Sequence, residues 1–430
     1  MKDQRYAEAM LEFIEKSPSS FHAIKNMKAA LKEQAFEELD ETEDWHIKPG
    51  GNYYVSRNDS SIIALRIPEG SSWAGFHVTA SHSDSPSFKV KEEPEIVVEN
   101  RYIKLNTEKY GGMILSTWLD RALSVAGRIA LWDQRRNEPV TRLVNIDRDL
   151  LVIPNVAIHM NRDMNKGVAY DPQCDMLPLF AEGTMERGRG RLLEELAKAA
   201  HVKKEDILAH DLFLYTREKG RFLGADREFV LSPRLDDLQC VYASLTAFLE
   251  SNPQKYINVC AVFDNEEVGS ATRQGADSTF LEDTLCRIAE GIGIGRGQLL
   301  AMIAGSFLIS ADNAHALHPN HPERSDPTNR PCMNGGIVIK YHGSQKYTTD
   351  ALSAAKMKNI CKRAGVPYQT YANRSDIPGG STLGNLSVSH VSVQSVDIGL
   401  AQLAMHSAVE TAGALDTEYA VRALKLFWQE

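Results

Sequence analysis

Three apolar runs, each ending abruptly in acidic or histidine residues, constrain this chain more than any other feature. Residues 257–263 form a near-continuous apolar stretch that stops at Asp264-Asn265-Glu266-Glu267. A run of that length reads as a strand buried on both faces. Residues 72–81 read as a second strand and run into His82-Ser83-Asp84-Ser85-Pro86. Residues 306–310 are a third, ending in Ala311-Asp312-Asn313. Helical patterns such as 241–249 and 284–292 lie between such runs. Strands alternating with helices predict an α/β sheet with helices on both faces.

The flanking segments read differently. Ala9, Met10, Phe13 and Ile14 share one face of a first helix, and Ala23, Ile24, Met27 and Leu31 share one face of a second. Ser17-Pro18-Ser19-Ser20 separates the two and can cap the latter. Gly50-Gly51-Asn52 is a turn, and residues 53–57 and 61–67 read as a hairpin. From about residue 93 to 230 the pattern changes to many short β-like runs, such as 96–98, 143–146 and 212–215. The expected organisation is therefore one α/β domain in two parts, 1–92 and 232–430, with a β-rich domain, 93–231, inserted between them.

Composition narrows the function classes. The net charge of −9 over 430 residues argues against a nucleic-acid or anionic-membrane partner, each of which needs a basic surface. The polar start Met1-Lys2-Asp3-Gln4-Arg5 and the lack of an 18-residue apolar stretch predict a cytoplasmic protein. Cys174, Cys240, Cys260, Cys286, Cys332 and Cys361 show no CxxC spacing, so reduced and mostly buried thiols are expected.

Ligand sites of open α/β sheets lie at the carboxyl ends of strands, which brings His82 with Asp84, Glu266 with Glu267, and Asp312 towards one crevice. His82 and Asp84 point the same way in extended chain, so Asp84 can take the second ring N–H of a ligating histidine. The alternative is a surface histidine beside a turn aspartate. Of two adjacent glutamates after a buried strand, one can ligate metal while the other holds a water as general base; an acidic helix start is the competing reading. Asp236 can bridge two cations or simply cap the helix that follows. His406 alone reads as a core histidine. Together His82, Asp236, Glu267, Asp312 and His406 suit a pair of divalent ions. Mixed N and O ligands suit zinc, manganese or cobalt alike.

These motifs have a family counterpart. Ser81-His82-Ser83-Asp84-Ser85-Pro86, Tyr110-Gly111-Gly112 with Trp118-Leu119-Asp120-Arg121, Ile153-Pro154 with Ala157-Ile158-His159, and Ser232-Pro233-Arg234-Leu235-Asp236 come first. Asp264-Asn265-Glu266-Glu267-Val268-Gly269-Ser270, Ser310-Ala311-Asp312 with Ala314-His315 and His318-Pro319-Asn320, and Gln402-Leu403-Ala404-Met405-His406-Ser407 follow, in family order. With them the chain resembles the M18 aminopeptidases, the aspartyl aminopeptidase family, within the di-zinc exopeptidases. The resemblance implies a mixed sheet flanked by helices, with the insert serving as a dimerisation domain. It implies two zinc ions, with His82 and His406 as terminal ligands, Asp236 as the bridge, and Glu267 and Asp312 as the remaining carboxylates. Glu266 would be the general base and Asp84 would orient His82. Lys340 and Tyr347 match substrate-contacting positions, and His159 matches a histidine given across the dimer to a neighbouring site. A tetrahedral dodecamer is also implied.

Three segments depart from the family pattern. Gly379-Gly380-Ser381-Thr382 stands where Cys-Gly-Thr-Thr is common, Ser270-Ala271-Thr272 where Ser-Glu-Ser is common, and Asp397-Ile398-Gly399 where Asp-Val-Gly is common. The expected activity is removal of the first residue of short peptides, with acidic first residues preferred. A broad or neutral aminopeptidase, a related deacylase or carboxypeptidase, and a non-catalytic oligomeric cargo protein are the rivals. Taken as a bare residue, Lys340 at the end of an apolar strand could also be a snorkelling surface lysine.

Overall fold

The computed structural model describes residues 4–70, 72–380 and 382–430. Met1, Lys2 and Asp3 of the polar start, and Ser381 of the family comparison, lie outside the described residues. The chain divides into two compact units: one holds the chain up to Asp84 with Gly220–Met405 and Glu410–Glu430, the other Ser85–Lys219 with His406–Val409.

The first unit is built on a nine-stranded mixed sheet. Its strands, in chain order, are β1 (Glu37–Leu39), β2 (Asn52–Arg57), β3 (Ser61–Arg66), β4 (Gly75–His82), β5 (Tyr256–Phe263), β6 (Phe307–Ala311), β7 (Ile337–Tyr341), β8 (Tyr368–Ala372) and β9 (Gln394–Gly399). Across the sheet the order is β1-β2-β3-β5-β4-β6-β9-β7-β8. The four central strands β5, β4, β6 and β9 run parallel. The hairpin expected at residues 53–67 is present as antiparallel β2 and β3.

Eight helices of this unit are α1 (Arg5–Glu15), α2 (Ser20–Glu33), α3 (Leu235–Leu249), α4 (Phe280–Gly291), α5 (Arg296–Ala304), α6 (Ala351–Ala364), α7 (Leu383–His390) and α8 (Asp416–Trp428). The pleat explains why they cover both faces. Val259, Ala261 and Phe263 of β5 enter a core with residues of α4, α5 and α7. Cys260 and Val262 enter the opposite core, with α1, α2, α3, α6 and α8. A strand read as one apolar run thus feeds two cores by simple alternation. In α1 the buried face is Ala7, Met10, Leu11 and Ile14. It is rotated from the expected one: Ala9 and Phe13 are only half-buried.

A smaller five-stranded sheet in the same unit joins Arg221–Leu223, Phe229–Ser232, Glu410–Gly413, Ala401–Leu403 and Ala314–His315, in that order. No helix among the described residues is long and apolar enough to cross a membrane.

The second unit is a six-stranded antiparallel sheet ordered Glu138–Asn145, Leu123–Asp133, Ala209–Thr216, Ser87–Val98, Tyr102–Tyr110, Leu179–Glu182. Several strands are longer than the short runs the sequence suggested, reaching 12 residues in Ser87–Val98. That strand is buried near its start and carries exposed Glu92 and Glu93, so only part of it looks apolar. Helix Arg191–Ala200 places Leu192, Leu196 and Ala200 in this unit's core.

All six cysteines are free, but Cys174, Cys286 and Cys332 are exposed, against the expectation that most are buried.

Candidate active site

Register builds the site. His82 ends β4 opposite Phe263 of β5, and Ala80 of β4 lies opposite Ser310 of β6. The chain therefore leaves three neighbouring parallel strands at one edge, at Ser83-Asp84, Asp264–Glu267 and Asp312.

His82 is 1% exposed. Its Nδ1 lies 3.0 Å from the Asp84 carbonyl and 3.3 Å from Asp84 Oδ1. With the proton on Nδ1 donated there, Nε2 is the ring nitrogen left to bind a cation, and it faces Asp236 Oδ1 at 3.4 Å and Asp312 Oδ1 at 3.8 Å. The His82 backbone N–H donates to Asp237 Oδ2 at 3.1 Å. Asp236, Asp237 and Asp312 are all buried. One ligand atom from each of His82, Asp236, Asp237 and Asp312 lies within 4.8 Å of the others, as do atoms of His82, Glu266 and Glu267.

The electrostatics call for a cation. Burial opposes a charge on His82, yet Asp236, Asp312 and Asp84 outweigh it and raise its pKa well above the ordinary value. Burial also lifts Asp237 well above the carboxylate range, with Asp312 and Asp236 adding to the rise against His82. Glu266 is pushed up to about 8 by burial and by Asp312, Asp84 and Asp236, with His82 opposing. A buried cluster of acids around one imidazole is costly unless positive charge is drawn in. One nitrogen and several carboxylate oxygens form a donor set that suits zinc. The residues therefore fit a divalent metal.

The Glu266-Glu267 turn is held from both sides. Asp84 accepts the backbone N–H of Glu266 on Oδ1 and that of Glu267 on Oδ2, each at 3.2 Å. Asn265 stands in the left-handed region at φ 62°. Its side-chain oxygen accepts from Thr272 Oγ1 and Gln274 Nε2 at 2.8 Å. Asp84 thus does more than face His82: its carboxylate fixes the backbone that carries both glutamates. At the start of α3, Asp236 and Asp237 have non-helical backbone, and the Asp236 N–H donates to Glu410 Oε2 at 3.1 Å.

Lys340 is not a snorkelling surface residue. It is 3% exposed on β7, with Nζ 3.5 Å from Asp312 Oδ2 and 5.4 Å from the Tyr347 ring centroid. Burial disfavours its charge, but Asp312, Tyr347 and Asp397 more than offset that and raise its pKa. Tyr347 is itself buried.

Two expected site residues belong to the second unit. His406, at φ 67°, has Nδ1 2.8 Å from the Gly112 carbonyl, and His159 is exposed in a turn. Asp237 was not expected at the site. Its signal was present: it repeats Asp236 as Glu267 repeats Glu266, in a segment leading straight into an apolar helix.

A family model described as Aminopeptidase I zinc metalloprotease (M18) matches residues 13–428. A probable M18 family aminopeptidase 2 of Clostridium novyi is 46% identical over 99% of this chain and 98% of its own length. Among solved structures, a chain of a complex of Ape4 and Nbr1 superposes with TM-score 0.94 at 35% identity, over 99% of this chain and 85% of that one. The S. cerevisiae mApe1 dodecamer gives TM-score 0.86 at 26% identity, over 99% and 97%. With a match along nearly its whole length and an acid-and-histidine cluster able to hold metal, the chain belongs to the M18 family of zinc metalloproteases and is a metalloaminopeptidase.

Proposed function

We propose that the chain removes the first residue of short peptides with two divalent ions per subunit, zinc in preference to manganese or cobalt, and that it prefers acidic first residues. The observation that carries this reading is the buried acid cluster around His82, with Glu266 beside it. His82, Asp236, Glu267, Asp312 and His406 are the residues that would hold the ions, Asp236 as the ligand shared by both and each histidine as the ligand of one.

Bound there, the ions would acidify a water and polarise the scissile carbonyl. Glu266 takes the water proton and delivers it to the leaving amine. Burial raises its pKa most, and Asp312, Asp84 and Asp236 add to the rise; a cation that neutralised Asp312 and Asp236 would remove their part of it and favour the basic form. Asp84 keeps Glu266 in place through the backbone N–H it accepts. The acids at the site also receive the free α-amino group, which confines cleavage to the first bond. Lys340 pairs with an Asp or Glu side chain of the substrate.

A broad-specificity aminopeptidase is the second reading, favoured by the Lys340 ammonium already lying 3.5 Å from Asp312. A metal-reconstituted assay over all first-residue types separates the two, with chelated enzyme as control. The proposal predicts the highest kcat/KM for Asp and Glu, and loss of that preference in Lys340→Ala. A flat profile, or an unchanged one in the variant, refutes the acidic preference; undiminished activity after chelation refutes the metal mechanism.

The second unit is assigned as the dimerisation domain, with His159 offered to a neighbour's site. Val156, Ile158 and Met160 support this, exposing apolar surface at 49%, 45% and 81%. Assembly follows the dodecamer of the S. cerevisiae relative. Six free cysteines fit a reducing, cytoplasmic setting.

A further inference from the structure

Asp397 lies on β9 within one of the segments that differ from the family pattern, and the reaction outlined above leaves it without a role. It is fully buried. Its Oδ2 accepts from both the backbone N–H and the hydroxyl of Thr348, at 2.6 and 2.8 Å. Its Oδ1 accepts from the Thr382 hydroxyl, and its own N–H donates to Thr349 Oγ1 at 2.9 Å. Gly384 allows this close approach: a Cβ there would come 2.7 Å from Asp397 Oδ1.

The two partners belong to different stretches of chain. Thr348 follows Tyr347, whose ring faces Lys340. Thr382 closes the Gly379–Thr382 segment and stands immediately before α7. Just before that segment, the Pro378 carbonyl lies 3.0 Å from Nε2 of His342, which follows β7 and stands edge-on to Tyr347. A single carboxylate therefore ties the stretch that carries Tyr347 to the residue that starts α7. Three donors converge on this one side chain, and hydrogen bonds to a carboxylate are the strong kind.

We propose that Asp397 is a positioning residue for substrate selection, its two oxygens bracing Tyr347–Thr349 against Thr382 so that the space at Lys340 keeps the shape of the substrate's first side chain. This rests on the reading that Lys340 and Tyr347 contact substrate. The Thr382 hydroxyl is then a specificity determinant that never touches the peptide.

The test is steady-state kinetics on zinc-loaded enzyme with N-terminal Glu and N-terminal Leu substrates, for Asp397→Asn, Thr382→Val and Thr382→Ser. Zinc per chain is measured alongside. Loss of one charge-assisted hydrogen bond corresponds to about tenfold. Thr382→Val should raise KM for the Glu substrate by about tenfold with kcat held and zinc content unchanged. Thr382→Ser should restore wild-type values, and Asp397→Asn should raise KM at least as much as Thr382→Val. Should Asp397→Asn fail to fold, the near-isosteric Thr382→Val carries the test. Unchanged KM in Thr382→Val, or a fall in kcat or zinc content in place of a KM effect, overturns the proposal. Lys340→Ala separates the two claims. If it shifts KM while Thr382→Val does not, only the role of Asp397 fails; if it leaves KM and preference untouched, the substrate reading itself fails.

Discussion

Asp84 has two jobs, of which the sequence suggested only the one towards His82. Its backbone carbonyl and carboxylate face His82, and the same carboxylate grips the N–H groups of Glu266 and Glu267. An asparagine would present an NH2 to one of those N–H groups, so Asp84→Asn should loosen both the ligand and the base. The expected loss is about 10- to 100-fold in zinc affinity, read by chelator competition, together with a fall in kcat. Glu266→Gln should separate chemistry from binding: zinc content stays, while kcat drops on the order of 10²–10⁴-fold. His82, Asp84 and the glutamate pair were legible because they stand directly at the ends of apolar strands. The burial of Lys340 was not, because it depends on which strand lies beside β7, and local pattern does not encode that.

At the scale of elements, β4 and α8 are joined by a buried histidine that chemistry does not use. His77 is stacked between Tyr256 and Phe427, at centroid distances of 3.8 and 4.2 Å. Its Nδ1 lies 2.9 Å from the Phe427 carbonyl, which fixes the proton there, while Nε2 is buried without a hydrogen-bond partner. Burial, aided by Lys356, lowers its pKa to about 3. A folded-state pKa below the ordinary 6.5 means the neutral ring stabilises the fold above pH 6.5, and this contribution is lost as pH falls from about 6.5 towards 3. The loss is on the order of 1.4 kcal/mol for each pH unit within that window. Thermal unfolding from pH 7 to pH 4 should therefore be steeper in the wild type than in His77→Phe; parallel curves would contradict this. The central strands were legible in type, with β4 starting at Gly75 and not at residue 72. The long antiparallel strands of the second unit were read as fragments, since charged residues on a solvated face interrupt the apolar period.

For the whole molecule, the proposed assembly turns on an exposed apolar stretch of the second unit. The exposed Val156, Ile158 and Met160 are a natural contact for a second copy. If the chain forms the proposed oligomer, Met160→Asp should move the sedimentation peak to smaller species, and activity should fall with it if His159 acts across the interface. An unchanged peak would place the contact elsewhere. Assembly was legible only through family resemblance, because no local pattern records symmetry.

The metal centre itself is tested most directly by anomalous diffraction at the zinc edge on zinc-loaded crystals. Two peaks per chain about 3.5–4 Å apart are expected, with the Asp236 carboxylate between them and His82 beside one. A single peak, or peaks away from His82, Asp236 and Asp312, would contradict the two-ion account.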